Sequence, residues 1–501
     1  MKRRAFISVY DKTGLEDFAR NLSEKFEYEI VAGSDTYDVL KQAGIEAVNV
    51  ADCSNNGGLL IKDYDCLNET IFASILADSS DSMELNELER AVVKTFDMVV
   101  VNLRPIDEII LSASDADEAL SKIDVAGLAV LRAAAKNYKH VTVITDKVDY
   151  YVALNANDFG RMKLALKAFN FTSNYDRQIC TKLAEQLGDK PFKTFNFEKL
   201  KDLKYGENPH QRASVYKLDN MVDYEVINGK ELSFNNILNV AEAVNIVSEF
   251  YDVNAVAIIR HNKPCGVALG RSLYEAYTKA FDCDPVSSFY GVAGFSKPVD
   301  IEVAKHLNSM AVEVVVAPDF DPKAVELFED NPDIKLVKLN TSLKDYRRLT
   351  VEEVIITPFG ALVQDRNNSE LNKEMFKVVT KEKPTAEQIE DAIFAWKTVK
   401  HAKTNSVVIA RDFKTSAIAQ GQTNALSALE SALNYACDGS KDAVLASDTV
   451  LASEDCIYSA VQGRISLIIQ PGGSIKDQKL IEVCDKYGIA MITTGIRNYR
   501  Q

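Results

Sequence analysis

The feature that most limits the fold is an alternation between short apolar runs rich in β-branched residues and longer segments with apolar residues at helical spacing. Ala5–Tyr10 reads as a strand, and Gly14–Phe26 places Leu15, Phe18, Ala19, Leu22 and Phe26 on one helical face. Tyr28–Ala32, a helical stretch to Gln42, Ile45–Val50, Met98–Asn102, a helix from Val125 to Asn137 and Val141–Thr145 extend the series. Strands joined by helices pair side by side in parallel, so this part is expected to be an α/β domain with a doubly wound sheet. Asp158 to Leu187 reads as helix, with Leu164, Leu166, Phe169, Ile179, Leu183 and Leu187 on buried faces, and Gly188–Pro191 ends it. A length of 501 residues suits roughly three domains. The expected division is 1–195 and 196–501, the latter as two lobes of about 196–350 and 351–501.

The second body is centred on Ala255–Gly270, AVAIIRHNKPCGVALG. Val256–Ile259 suits a strand buried on both faces, and Pro264 with Gly266 is expected to break it. Arg260 and His261 then stand at a strand's carboxyl end, where open α/β sheets place their sites. The plainer alternative makes Arg260 an edge cap and His261 a hydrogen-bonded structural histidine. Upstream, Gly206 and Pro209 forbid a regular element in LKYGENPHQ, and Lys204, Tyr205, Asn208 and His210 crowd polar groups into that loop. Gly229–Asn239 precedes a helix expected from about Ala241 to Tyr251; Asp282–Phe289 is a polar break, and Val312–Asp319 is a strand. The last third repeats the plan: a helix with Phe394, Trp396 and Val399 runs into Lys403–Ser406 and the strand Val407–Ala410. In the first domain, Gly33–Thr36 could cradle a phosphate, but Asp35 within it would repel one, which favours a helix cap.

Composition excludes several functions. A formal charge of −15 with no basic run argues against a nucleic-acid surface. The eight cysteines and five histidines have no short ligand spacing, so no metal site is expected, and the thiols read as reduced and mostly buried, as in a cytoplasmic protein. The apolar stretch after Lys2-Arg3-Arg4 is too short for a signal sequence, and no segment approaches a membrane span. An NAD-type reading lacks G-x-G-x-x-G and an acidic ribose ligand.

Ordered motifs carry a resemblance. ISVYDKTG at 7–14, MVVVNLRP at 98–105, LRAAAKN at 131–137, LKYGENPHQ, GKELSFNNIL, RHNKPCGVA, DPVSSF, VEVVVAPD, LVQDR at 362–366, AWKTVKH at 395–401, Gly421-Gln422, LASD at 445–448 and IIQPGGSI at 468–475 resemble, in the same order, the bifunctional AICAR transformylase/IMP cyclohydrolase family of purine biosynthesis. The resemblance implies a methylglyoxal-synthase-like N-terminal domain, two cytidine-deaminase-like lobes and a homodimer. It also implies two reactions: formyl transfer from the co-substrate 10-formyltetrahydrofolate to the 5-amino group of AICAR, then ring closure of the product to IMP. By that resemblance His261, Arg260 and Asn405 are the catalytic positions, and Lys204, Tyr205, Asn208, Glu313 and Arg497 bind substrate. The amine is a poor nucleophile, conjugated with its imidazole and carboxamide, so transfer needs a base, an oxyanion partner and close alignment.

Several positions depart from the family pattern. Arg260 stands for a lysine and cannot shuttle a proton. Lys204 stands for an arginine, Tyr290 and Phe359 for glycines, Ala425 for an arginine and Gln501 for a terminal histidine, and Thr449–Ser453 for an aromatic run on the folate side. In the N-terminal domain a cationic set reads Asp63, Asp65, Cys66, Asn68 and Thr70; Arg104 stands for a tyrosine, and Ala126-Gly127-Leu128 for Gly-Gly-Pro. Asn102, Asp124, Lys136 and Asn137 match. Formyl transfer is therefore expected and ring closure is not; the alternative is a non-catalytic paralogue that binds a purine intermediate or a sister subunit.

Overall fold

The computed structural model describes residues 2–53, 67–187, 193, 195, 197–218, 221–349, 352–371 and 373–501. The chain forms two compact units, Met1–Asn196 and Phe197–Gln501. In the first, five strands, β1 (Arg4–Val9), β2 (Glu29–Ala32), β3 (Val48–Asn49), β4 (Met98–Asn102) and β5 (Thr142–Ile144), form one sheet in the order β3-β2-β1-β4-β5. Every pairing is parallel, as the alternation predicts. The helices that matter below are α1 (Leu15–Glu24), α2 (Ser34–Gln42), α3 (Val125–Lys136) and α4 (Asp158–Leu187). α1 buries Leu15, Phe18, Ala19 and Leu22, its apolar stripe. The strand expected over Ile45–Val50 shrinks to Val48–Asn49, because Val50 already turns into a short 3₁₀ segment.

The second unit opens with a separate hairpin, β6 (Glu198–Leu203) and β7 (Ala213–Lys217), before β8 (Tyr224–Asn228) and α5 (Phe234–Ser248). Then come β9 (Asn254–Arg260), β10 (Lys263–Gly270), β11 (Val292–Phe295), β12 (Val314–Ala317) and β13 (Lys335–Leu339). A second separate hairpin, β14 (Glu352–Thr357) and β15 (Gly360–Asp365), leads to β16 (Lys377–Val378) and α6 (Ala386–Val399). The chain finishes with β17 (Val407–Arg411), β18 (Lys414–Ala419), β19 (Val444–Ser447), β20 (Leu467–Gln470) and β21 (Ala490–Thr493). One twelve-stranded sheet results, ordered β16-β21-β20-β19-β17-β18-β10-β9-β11-β12-β13-β8. Read outward from the β18–β10 junction, its halves have the same sequence of antiparallel and parallel pairings. The unit is an internal duplication, and its halves share a sheet.

Packing makes the halves one body. Along β9, Val256 and Ile258 enter a core on one face, while Ala255, Ala257 and Ile259 enter the other, so the strand is buried on both sides as its sequence predicts. The face carrying α5 and α6 has a single core that takes Val244 and Val247 from the first half and Phe394, Trp396 and Val399 from the second.

Several expectations are corrected. Pro264 and Gly266 do not end the strand region; they lie inside β10, where a register shift between them leaves Cys265 as a bulge. The bulge relieves a strand that would otherwise need an amide proline lacks. The helix expected from Ala241 begins at Phe234, because Ser233 caps it and Asn236 returns a bond to the cap. Of the cysteines in described residues, only Cys456 and Cys484 are buried; Cys180 and Cys437 are exposed, so the thiols are not mostly buried. On α4, Leu166, Phe169 and Leu187 are exposed rather than buried as expected; the helix buries Leu164 together with the small and polar residues Ala165, Ala168 and Thr172 and with Tyr175, a face offset from the leucine pattern. No helix among the described residues is long and apolar enough to cross a membrane.

Candidate functional site

The strand registers place the singled-out loops of the second unit at one end of its sheet. β9 ends there at Arg260, and the antiparallel pairing of Val292 with Ile259 puts Tyr290 and Gly291 beside it. Val314 pairs with Val292, which brings Glu313 to the same end. In the other half, Val407 pairs with Ala419 and Ser447, so Asn405, Gln420–Gln422 and Asp448 arrive together. The carboxyl ends of β20 and β21 deliver Gln470–Gly473 and the terminal segment. Glycine at 291 is required by space: a Cβ there would meet the Ser288 carbonyl at 2.9 Å.

Arg260 and His261 belong to a two-residue turn between β9 and β10, with His261 at φ 53° and Asn262 at φ 59°. Both central residues at positive φ make this the tight hairpin form whose twist matches the strands. Asn239 on α5 holds it, its Oδ1 accepting the Asn262 N–H at 2.6 Å. His261 is exposed, and its Nε2 accepts from the Nε of half-buried Arg260 at 3.5 Å. Gln420 joins this turn to the Asn405 loop: its Nε2 donates to the Pro264 carbonyl at 3.1 Å and its Oε1 accepts from the Lys403 N–H at 3.4 Å. Asn405 follows a cis peptide bond, and its side-chain Nδ2 donates to the Gln422 carbonyl at 3.0 Å. Burial pushes the neighbouring Cys265 thiol up to about 12, so it is no nucleophile at neutral pH.

Behind Asn405, fully buried Asp448 accepts the Ser406 N–H at 2.7 Å. Burial raises its carboxyl pKa, only partly offset by the Thr404 and Ser406 side chains. No group of three or more His, Cys, Asp or Glu among the described residues could hold a metal ion.

The remaining positions of this unit are held more loosely. Lys204 and Asn208 are exposed, Tyr205 is half-buried, and Asn208 donates from Nδ2 to Gln211 at 3.0 Å. Asn235 on α5 donates to the Glu207 carbonyl at 3.3 Å, which brings the 204–211 loop to the same sheet end. Glu313 pairs with Lys335 at 3.3 Å, an ion pair that competes with a substrate role. Arg497 is exposed over the Tyr499 ring. Tyr290 is 56% exposed at φ 54°, and Phe359 is fully exposed at the β14–β15 turn. Asn239, Gln420 and Arg500 were not legible in the sequence as organisers of the site. The capping box at Ser233 would have placed Asn239 on a helix, but Asn236 stands where glutamate or glutamine usually announces one.

In the first unit, a cleft of about 630 Å³ opens at the carboxyl ends of β1, β4 and β5, with Asp11, Lys12, Asn102, Glu108, Asp146 and Lys147 in its wall. Asn102 is engaged with the chain: its Oδ1 accepts from the N–H groups of Tyr10 and Asp11 at 2.6 and 2.8 Å. Hydrogen bonds from Thr13, and then Lys147, lower the Asp11 carboxyl to about 2, while burial lowers the Lys12 ammonium. Asp124 caps α3 through the Gly127 N–H. Lys136 is exposed in the last turn of that helix, roughly 18 Å from Asp124 at 1.5 Å per residue, so the structure does not bring the two together. Asn137 is spent on the carbonyls of Ile75 and Ala77, at 2.7 and 2.9 Å. Arg104 lies over the Tyr10 ring. Thr36 is buried against the Val9 N–H at 3.0 Å, and a Cβ at Gly33 would strike Ser8, so that turn is a helix start packed on β1. Asp63, Asp65 and Cys66 lie outside the described residues, whereas Asn68 caps a helix through the Ile71 N–H.

Comparison with known proteins covers both units. A family described as the AICARFT/IMPCHase bienzyme matches residues 134–435, and one described as an MGS-like domain matches residues 14–129. The bifunctional purine biosynthesis protein PurH of Acetivibrio thermocellus is 39% identical, covering 100% of both chains. Those of Caldicellulosiruptor saccharolyticus and Persephonella marina are each 40% identical over 100% of both chains. A solved structure described as ForH shares 28% identity with a TM-score of 0.32, covering 36% of this chain and 97% of its own.

Proposed function

The chain belongs to the AICARFT/IMPCHase bienzyme family, and from that premise we propose that residues 196–501 catalyse formyl transfer from 10-formyltetrahydrofolate to AICAR, while residues 1–195 no longer close the ring to IMP. The observation that carries the first half is the convergence of the Arg260–His261 turn, Asn405, Glu313 and the terminal segment at one end of one sheet. In the reaction, a bond forms between the 5-amino nitrogen and the formyl carbon, and the bond from that carbon to the folate nitrogen breaks. His261 Nε2 takes the amine proton and can return it to the departing nitrogen; Arg260, permanently charged, stabilises the oxyanion. Asn405 orients the reactants, and Lys204 and Arg497 supply positive charge for the phosphate.

Support for the second half is chemical. Asp63 and Asp65 stand where the family pattern has cations, Arg104 replaces a tyrosine, and the Asn102 Oδ1 is already engaged by the N–H groups of Tyr10 and Asp11. Each like charge beside a phosphate costs on the order of a kcal/mol or more at a protein surface. The first unit then serves assembly. α4 exposes Phe159, Met162, Leu166 and Phe169 by 66, 55, 70 and 44%, an apolar stripe at helical spacing that a second copy of the chain could cover. A cytoplasmic homodimer is the proposed state.

Tetrahydrofolate release on mixing with AICAR and 10-formyltetrahydrofolate tests the transfer, and IMP formation from formylated AICAR tests ring closure. Release without IMP is the expected pair of results. Calorimetric AICAR binding without any release would instead support the non-catalytic paralogue, to which Ala425 and Gln501 in place of the family's arginine and histidine point.

A further inference from the structure

One helix face ties the parts of the candidate transfer site together. Asn235, Asn239 and Glu242 lie at helical spacing on α5, so they share a stripe. Asn235 bonds the loop of Lys204 and Asn208, and Asn239 bonds the turn of Arg260 and His261. Glu242, 1% exposed, receives both terminal nitrogens of the Arg500 guanidinium, one on each oxygen. Arg500 extends the link into the Asn405 loop from two sides. Its guanidinium also donates to the His401 carbonyl at 2.7 Å, and its own carbonyl accepts the Thr404 N–H at 2.9 Å. Besides this pair, the last residues are held by backbone bonds from Thr494, Gly495 and Asn498 to Gln470, Pro471 and Asp448, by Asn367 on the Asn498 side chain at 3.2 Å and by Thr449 against the Tyr499 hydroxyl at 3.0 Å. A segment without helix or strand keeps its place only where its backbone and side chains are tied down.

We propose that the Glu242–Arg500 pair positions the site: it locks the 401–405 loop to α5, so that Asn405 is held in fixed register with the Arg260–His261 turn that the same helix holds through Asn239. The proposal rests on the formyltransferase reading for its consequence in rate, and on geometry alone for its consequence in structure. Glu242 and Arg500 are positioning residues, because neither need touch the reacting atoms. A bidentate carboxylate–guanidinium pair fixes distance and angle together, which a lysine or a glutamine cannot reproduce. Misplacing a reacting group by about 1 Å can cost about a hundredfold in rate.

The test uses the full chain with Glu242→Gln, Arg500→Ala and the double variant Glu242→Leu/Arg500→Leu, which removes the pair without leaving a buried unpaired charge. Tetrahydrofolate release should fall by about ten- to a hundredfold in kcat in each, with KM for AICAR within threefold and the double variant still melting cooperatively near the parent. Millimolar guanidinium ion should restore Arg500→Ala several-fold and leave the double variant unchanged. Amide exchange at Thr404 and Asn405 should quicken at least tenfold in the double variant, with Asn262 unaffected. A folded double variant with parental kcat, or with parental exchange at Thr404 and Asn405, overturns the proposal. If the parent itself releases no tetrahydrofolate, the formyltransferase reading fails, and the exchange comparison alone decides whether the pair holds the loop.

Discussion

The turns Arg260–Lys263 and Arg411–Lys414 occupy matching places in the two halves of the twelve-stranded sheet and are built from the same parts. Each is a two-residue turn with both central residues at positive φ, 53° and 59° in the first and 53° and 56° in the second. Each is followed by a register shift in the second strand. Each is held by a helix with a capping box, through a side chain at the same position from its cap: Asn239 accepts the Asn262 N–H, and Asp391 accepts the N–H groups of Asp412 and Phe413 at 2.9 and 2.8 Å. What differs is the side chains at the tip, His261-Asn262 against Asp412-Phe413, and what meets them. The first turn faces the carboxyl ends of β19, β20 and β21, whereas the second points to the opposite end of the sheet. Duplication therefore supplies a scaffold twice, but chemistry depends on a titratable tip and on the loops that converge beside it.

The largest effect is expected where the halves meet. Glu249 and His401 lie at equivalent positions beyond α5 and α6 and contact each other, Nε2 to Oε1, at 3.2 Å, with Lys400 and Arg347 also on the Glu249 carboxylate. Burial would raise the Glu249 pKa, but His401, Lys400 and Arg347 outweigh it and hold the carboxyl well below its usual range. Glu249→Gln leaves buried cations unmatched and should cost about 3–5 kcal/mol in denaturant unfolding. A lowered folded pKa gives stability that is complete above the unfolded carboxyl value and disappears as pH falls through the folded one. The parent should accordingly lose stability on acidification over that window, and the variant should show a shallower loss.

Next in size is the contrast at the two tips. His261→Ala should lower formyl transfer by about a hundredfold or more with AICAR affinity changed only a few-fold, whereas Asp412→Ala should leave the rate within about twofold. Equal losses in both, or none in a fully folded His261→Ala protein, would erase the functional difference between the turns. Arg260→Lys should hold or raise the rate.

The supports of the turns differ more modestly. Asp391→Ala strands two amides and should cost about 1–3 kcal/mol, without a change in transfer rate beyond the folded fraction; Asn239→Ala strands one and should cost about 1 kcal/mol while also slowing transfer. Melting and kinetics on the same preparations separate the two. The smallest effect concerns Tyr290, at φ 54° beside the first turn, with no equivalent strain needed for its exposed ring. Tyr290→Gly should change stability by under about 1 kcal/mol, since relieved strain and added chain entropy oppose each other. A lower KM for AICAR would show that the ring narrows the site; an unchanged one would leave the glycine departure without functional weight.

Local pattern alone determined a good deal of this protein. The alternation of apolar runs and helical stripes specified the parallel five-stranded sheet, the two-sided burial of β9 and the long α4, because side-chain period and burial are properties of neighbouring residues. Ordered motifs likewise identified the family. Where a signal was unusual the reading slipped: an asparagine in the capping box hid the first two turns of α5, and Pro264 concealed a strand that a bulge makes possible. Only the tertiary structure decided which loops meet. Arg260 and Asn405 reach the same end of one sheet because β10 pairs with β18, and Glu242 meets Arg500 across 258 positions of chain. Such partners follow from sheet order and strand register, which are set by the packing of the whole unit, and no window of sequence contains them.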